Sequence, residues 1–191
     1  GNVAFEAEQG DAAKTGKAFA KAAKTVSITV ENNRLTSNFM ETRACLAQYD
    51  TASKGWTVTI GNQGAHGARD ILAKNIFKVA PERIRVICPD VGGGFGTKLF
   101  MYREYPLAMF AARKLKRAVG WIAERTEHFL ADAHGRANLT TATMALDAKG
   151  RFIGLKVDLA ADMGAYLSQY GPFIPWVGTT MTPGCYDIPA V

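Results

Sequence analysis

Nowhere in the 191 residues does an apolar run approach the roughly 20 residues a membrane-spanning helix needs, so a helical span is excluded on length. The N-terminus GNVAFEAEQGD has no basic segment followed by an apolar one, and no targeting signal is read in it. Cysteine is scarce: Cys45, Cys88 and Cys185 are far apart, odd in number and form no CxxC, which argues against a disulfide framework or a zinc site. A reducing, cytoplasmic setting is the expectation, with the periplasm open to a parent protein. His66, His128 and His134 form no HxxxH or HExxH pair and read as surface or structural histidines. Internal repeats and low-complexity linkers are absent too. There is no initiator Met and the ending Ala190-Val191 is apolar, so the chain is expected to be a piece of something longer.

What is present is an ordinary globular composition with a formal net charge of +6. The cations Lys14, Lys17, Lys21 and Lys24, and the cluster Arg113, Lys114, Lys116 and Arg117, lack the interleaved aromatics of a nucleic-acid platform. They read as solvated helix faces, so no nucleic-acid partner and no membrane partner is expected. Asp11 is placed to cap a helix through AAKTGKAFAKAAK, with Ala18, Phe19, Ala22 and Ala23 as its apolar stripe. TVSITVEN alternates Val26, Ile28 and Val30 at the period of a half-buried strand, and RACLAQYD and WTVTIGN repeat the pattern around a turn at Thr51 to Gly55. The intervening NNRLTSNFMETR shows no period, and Glu41 and Arg43 within it are read as a buried ion pair.

HGARDILAKNIF puts Ala68, Ile71, Leu72 and Ile76 on one helical face, with Pro81 beyond its end. RIRVICP is a strand, and FMYREYPLAMFAARKLK a helix in which Pro106 either kinks the middle or marks the first turn. AVGWIAE is a short strand, followed by a helical turn from Arg125 to Ala133 in which Glu124, Arg125 and Glu127 are read as intrahelical ion pairs. Two long strands then meet at Lys149-Gly150, and the Pro- and Gly-rich last twenty residues show no regular pattern. Hairpins mixed with strand-helix-strand units give an α+β fold of mixed sheets and packed helices, with sub-lobe boundaries near residues 62 and 136.

Between RIRVICP and the helix lies VGGGFGTK, which is neither GxxxxGK[ST] nor GxGxxG with an acidic residue at the right distance. Its glycines permit positive φ and close backbone approach, so successive N–H groups can face an anionic or metal-bound oxygen, helped by a following helix N-terminus. A tight turn between packed elements explains the same glycines equally well. Phe95 among them must pack or wall a pocket. Gln63, between a strand and a helix, is a ligand contact or an exposed helix-entry residue, the latter favoured by position alone.

Five segments in order, NNRLTSNFMETRACLAQYD, TVTIGNQGAHGARDILA, RIRVICPDVGGGFGTK, VGWIAERTEHFLADAHGR and GCYDIP, resemble the large subunit of the molybdenum hydroxylases, the xanthine dehydrogenase, aldehyde oxidase and carbon monoxide dehydrogenase family. The resemblance covers nearly the whole chain. It implies that Gly94, Phe95 and Gly96, with Gly93 supporting, lie against a molybdenum–molybdopterin cofactor, and that the Gln63 amide bonds an oxygen ligand of the metal. No side chain is then a metal ligand, because the pterin sulfurs hold it. The implied reaction is hydroxylation with water as oxygen source, or carbon monoxide oxidation, with electrons leaving through iron-sulfur clusters and FAD on partner subunits or domains. The implied partners are the remainder of the large subunit, the iron-sulfur and flavin subunits and a small-molecule substrate.

Purine-oxidising members carry a glutamate where this sequence has Leu99, so a purine substrate is disfavoured. The family's glutamate base is expected beyond Val191, which leaves no catalytic residue within this chain and no independent activity in it. Competing readings are a cofactor-free binding or scaffold domain of the same fold, and a Gly-loop nucleotide-binding enzyme.

Overall fold

The computed structural model describes residues 1–191, which divide into two compact units, one made of Gly1–Leu35 with Arg136–Val191 and the other of Thr36–Gly135. The elements are of both kinds, in mixed sheets with packed helices, and no helix is long and apolar enough to cross a membrane.

The first unit opens with α1 (Ala12–Ala20), capped by Asp11, whose carboxylate accepts the Lys14 amide at 2.8 Å. A three-stranded sheet follows in the order β1 (Lys24–Thr36), β6 (His134–Leu146), β7 (Phe152–Ala161). Strands β6 and β7 pair antiparallel around the Lys149-Gly150 turn, where Asp147 accepts the amides of Lys149 and Arg151. Helix α1 packs on β7 at Gly154, where a Cβ would lie 3.0 Å from that of Ala18. A side chain there would crowd Ala18 and Phe19, so glycine suits that approach.

Two expectations change in this unit. Strand β1 is nearly all exposed, including Val26, Ile28 and Val30, and it continues through Asn32 and Asn33 into the stretch that shows no period in sequence. Ladder pairing with β6 holds those residues extended, reinforced by Ser27–Thr143 and Thr29–Thr141 hydroxyl bonds at 2.9 Å. The last twenty residues also contain a helix, α5 (Phe173–Thr179). Its prolines sit at the cap and in the first turn, where a helix needs no N–H from them.

The second unit is built on a four-stranded sheet in the order β4 (Ile84–Ile87), β3 (Gly55–Ile60), β2 (Ala44–Asp50), β5 (Val119–Ile122). The β2–β3 hairpin is antiparallel with Cys45 opposite Ile60, whereas β3 and β4 run parallel. The parallel pair requires a crossover, supplied by α2 (Ala65–Asp70) and a π-helical continuation, Ile71–Phe77. The wider π turn shifts the apolar face: Ala68, Leu72 and Ala73 are buried, while Ile76 rotates outward. On β3, Trp56, Val58 and Ile60 alternate inward, meeting α3 (Glu104–Leu115) through its buried Tyr105, Ala108, Met109 and Ala112. Trp56 Nε1 donates to the Met109 carbonyl at 3.0 Å, which fixes the helix against the sheet. Pro106 lies in the first turn of α3 and kinks nothing.

Glu41 and Arg43 do not pair with each other. Arg43, fully buried, donates from Nε to Asp132 at 2.6 Å and from Nη1 to Glu104 at 3.0 Å, with Tyr102 stacked 3.6 Å from the guanidinium carbon. Burial works against its charge, but Glu104 and Asp132 outweigh it and raise the guanidinium pKa above its ordinary value. Asp132 also bonds His128 Nδ1 at 2.7 Å, so that histidine is structural and buried. Nor does α4 (Arg125–Ala131) use the expected ion pairs: Arg125 donates to the carbonyls of Phe39 and Met40, both at 2.8 Å. A guanidinium gains more from two fixed backbone acceptors than from mobile exposed carboxylates on its own helix.

Candidate cofactor site

The site lies where the C-terminal end of β3 meets the glycine loop that follows β4. Both strands end at the same level because they run parallel in register, Val58 beside Val86 and Thr59 beside Ile87. Ligand-binding crevices of sheets with parallel strands form at such ends. Gln63 and the loop are thus neighbours although about thirty positions apart in sequence, a separation that follows from the crossover helix between them.

Their contact is close. A Cβ built on Gly94 would fall 2.5 Å from Gln63 Oε1 and 2.8 Å from Cδ, so the Gln63 amide lies directly over the Gly94 backbone. Gly94 is buried, and Gln63 is exposed on its other side. Gly93 and Gly96 have φ of +92° and +87°, and Phe95 between them also takes a left-handed φ of +48°. That conformation strains a residue with a side chain by about 1 to 3 kcal/mol and marks loops held by their surroundings. The Phe95 ring is 76% exposed and touches the chain beside Gly93. It is therefore not a core residue.

The amides of Gly94, Phe95 and Gly96 have no hydrogen-bond partner within the chain, whereas those of Gly92, Gly93 and Thr97 on either side do. Three successive unpaired donors form a backbone arrangement able to receive acceptor oxygens. The loop closes in a single 3₁₀ turn, Thr97–Leu99, and α3 begins only at Glu104. The expected contribution of a helix N-terminus at the loop is thus missing, and the donors act as individual amides. Leu99 lies across from Gln63's neighbour, its Cδ1 3.4 Å from a Cβ placed on Gly64.

Beneath the loop is a polar hub that sequence spacing did not reveal. Glu41 Oε2 accepts the Gly92 amide at 2.9 Å and Lys98 Nζ at 2.5 Å, and it lies 3.2 Å from a Cβ placed on Gly61. Lys98 is fully buried, with the Phe39 ring 4.6 Å from its ammonium. Desolvation tends to raise the Glu41 pKa, but the Lys98 bond and the Gly92 amide prevail and hold it below the usual carboxylate range. Asn62 completes the frame: its Nδ2 donates to the Lys98 carbonyl at 2.8 Å, and its Oδ1 accepts the Gly64 amide at 2.6 Å. The available signal was a lysine among Thr97, Leu99 and Phe100, since a cation in so apolar a setting requires a partner.

No group of three or more His, Cys, Asp or Glu side chains is placed to hold a metal ion. The donors of the site are backbone amides and one carboxamide, a set suited to oxygen atoms on a bound group rather than to a metal directly.

The chain belongs to the molybdopterin cofactor-binding domain family, whose model matches residues 1–191. Among curated proteins it is 35% identical over 178 residues to the nicotine 6-hydroxylase large subunit of Paenarthrobacter nicotinovorans, covering 91% of this chain and 22% of that one. It is 32% identical over 189 residues to the carbon monoxide dehydrogenase large chain of Hydrogenophaga pseudoflava, covering 98% and 23% respectively. Among solved structures, quinoline 2-oxidoreductase from Pseudomonas putida 86 superposes with a TM-score of 0.82 at 32% identity, over 92% of this chain and 22% of that one. The chain thus spans less than a quarter of the length of these relatives.

Proposed function

We propose that this chain forms one wall of the molybdenum–molybdopterin site in the large subunit of an oxidoreductase. The reaction is hydroxylation of an aldehyde or heteroaromatic substrate with water as oxygen source, or oxidation of carbon monoxide. The observation that carries the reading is the Gln63 amide seated over Gly94 beside three unpartnered amides, at the positions the family resemblance assigns to the cofactor. The group supplies two-electron redox chemistry when bound. The chain supplies orientation: Gln63 donates from its side-chain amide to an oxygen of the cofactor, and the amides of Gly94, Phe95 and Gly96 stabilise negative charge on its oxygens. Gly93 allows the turn that presents them, through its φ of +92°.

Phe95 and Leu99 give the site an apolar border, since both side chains are exposed. Leu99 offers no carboxylate to a purine, which favours substrates held by shape and apolar contact. Large-subunit and large-chain designations of the relatives support partner subunits here, with iron-sulfur clusters and FAD as the electron exit. The base for proton removal lies on the remainder of the large subunit.

Gln63→Ala in the full-length holoenzyme tests the reading. Loss of a group bonded to a metal ligand lowers activity about tenfold or more, while the exposed position keeps the melting temperature near wild type. Equal loss of rate and melting temperature counts against a site role.

A further inference from the structure

One carboxylate oxygen touches every segment from which the proposed site is built. Glu41 Oε2 receives the Gly92 amide at the start of the glycine loop and the Lys98 ammonium at its end, and it lies 3.2 Å from a Cβ placed on Gly61, just beyond the strand that delivers Gln63. The Glu41 backbone N–H in turn donates to the Gly92 carbonyl at 3.2 Å, so the loop is held from both sides of its backbone. Lys98, fixed by that oxygen, accepts through its carbonyl from Asn62 Nδ2 at 2.8 Å and from the Gln63 backbone N–H at 3.4 Å. Gln63 and Gly94 are therefore registered against each other through Glu41 and Lys98. The platform beneath is itself braced. Arg125 clamps the carbonyls of Phe39 and Met40, Thr97 bonds Ser37 at 2.5 Å, and the buried Phe39 ring rests 4.6 Å from that of His128.

We propose that the Glu41–Lys98 ion pair is the positioning device of the site, setting the distance between the Gln63 amide and the unpartnered amides of Gly94 to Gly96. The inference rests on the site reading above. An ion pair suits this task because its charge-assisted bonds are short and directional. Its buried ammonium also cannot leave its partner without remaining uncompensated in an apolar setting. Each residue acts through Gln63 and the loop.

The test is a double-mutant cycle in the full-length holoenzyme, read by turnover, by pterin retained per polypeptide after dialysis, and by melting temperature. Glu41→Gln keeps the shape and an acceptor for Gly92 but removes the charge. Glu41→Gln/Lys98→Met removes both charges, so no lone ion is buried and folding is preserved. Each is expected to lower turnover about tenfold to a hundredfold, as loss of an outer orienting partner does, and to shed pterin. On a Gln63→Ala background the same changes are expected to cost much less turnover, because the group they position is gone. Wild-type turnover and pterin retention in the doubly neutralised protein, or full additivity with Gln63→Ala, overturns the proposal while Gln63→Ala itself remains impaired. A Gln63→Ala protein with wild-type turnover instead overturns the site reading beneath it.

Discussion

Replacing Gly94 with alanine isolates the central contact of the site. The added Cβ would meet Gln63 at 2.5 Å from Oε1, 2.8 Å from Cδ and 3.1 Å from Cγ. A carbon and an oxygen rest comfortably at about 3.3 to 3.6 Å, so the amide must retreat by about 1 Å. Gly94 is not among the glycines with positive φ, so alanine adds no backbone strain there. The neighbour that must yield is a flexible, exposed side chain, and the loss of folding stability is therefore small, about 1 kcal/mol or less. A displacement of about 1 Å at a group that orients a reacting centre lowers rate by about a hundredfold. Gly93→Ala is the contrast: φ of +92° and a contact of 2.9 Å with Phe39 Cβ bring in strain of about 1 to 3 kcal/mol, so it lowers melting temperature as well. Turnover and thermal unfolding of the two full-length variants, measured side by side, decide the matter. If Gly94→Ala keeps wild-type turnover, or loses rate only in proportion to stability, the Gln63–Gly94 contact is packing and the reasoning fails.

Arg43→Met leaves Asp132 buried without its guanidinium partner and is expected to destabilise the full-length protein by about 3 to 5 kcal/mol in urea unfolding; a loss under 1 kcal/mol would contradict the buried network. The Glu41 carboxyl, held below its ordinary value by Lys98 and Gly92, contributes stability that is present above the unfolded pKa of about 4.3 and lost as pH falls through the lower folded value. Melting curves of wild type and Glu41→Gln should therefore differ at pH 7 and converge toward pH 3, and a gap that is constant with pH would refute the assignment. Burial pushes the Cys45 thiol up to about 11, Glu104 adding to the effect, so Cys45 should resist alkylation at pH 8 until denaturant opens the fold. Exposed Cys88 serves as the reactive comparison, and equal labelling of the two would contradict the packing around β2.

Much of the fold was legible where the signal is local. Asp11 caps α1, the turn at Thr51 to Gly55 joins β2 and β3, and Lys149-Gly150 joins β6 and β7, because capping, alternation and turn chemistry act over a few residues. Prolines misled at the end of the chain, where α5 carries them at positions a helix tolerates. The π turn after α2 was invisible to a 3.6-residue period, and with it the outward turn of Ile76. The partners of charged residues were the least legible. Glu41 and Arg43 are two positions apart, yet they bond Lys98 and Asp132, far along the chain. Spacing cannot choose such partners, because burial decides which charges must meet and the topology decides which can.

Within the site, the glycines and Gln63 stood out as possible ligand contacts from their composition and placement, but residues alone left the tight-turn reading equally open. The family resemblance supplied the cofactor, and the family match over residues 1–191 agrees with it. What only three dimensions supply is the contact between Gln63 and Gly94 and the run of amides without partners.

The most direct test is the molybdenum and pterin content of the full-length protein, purified together with its partner subunits from cells able to mature the cofactor. One molybdenum and one pterin per large subunit is the predicted result, with the content falling in Gly94→Ala. A properly matured, folded protein containing neither would contradict the account and leave a scaffold that has kept the fold without the chemistry.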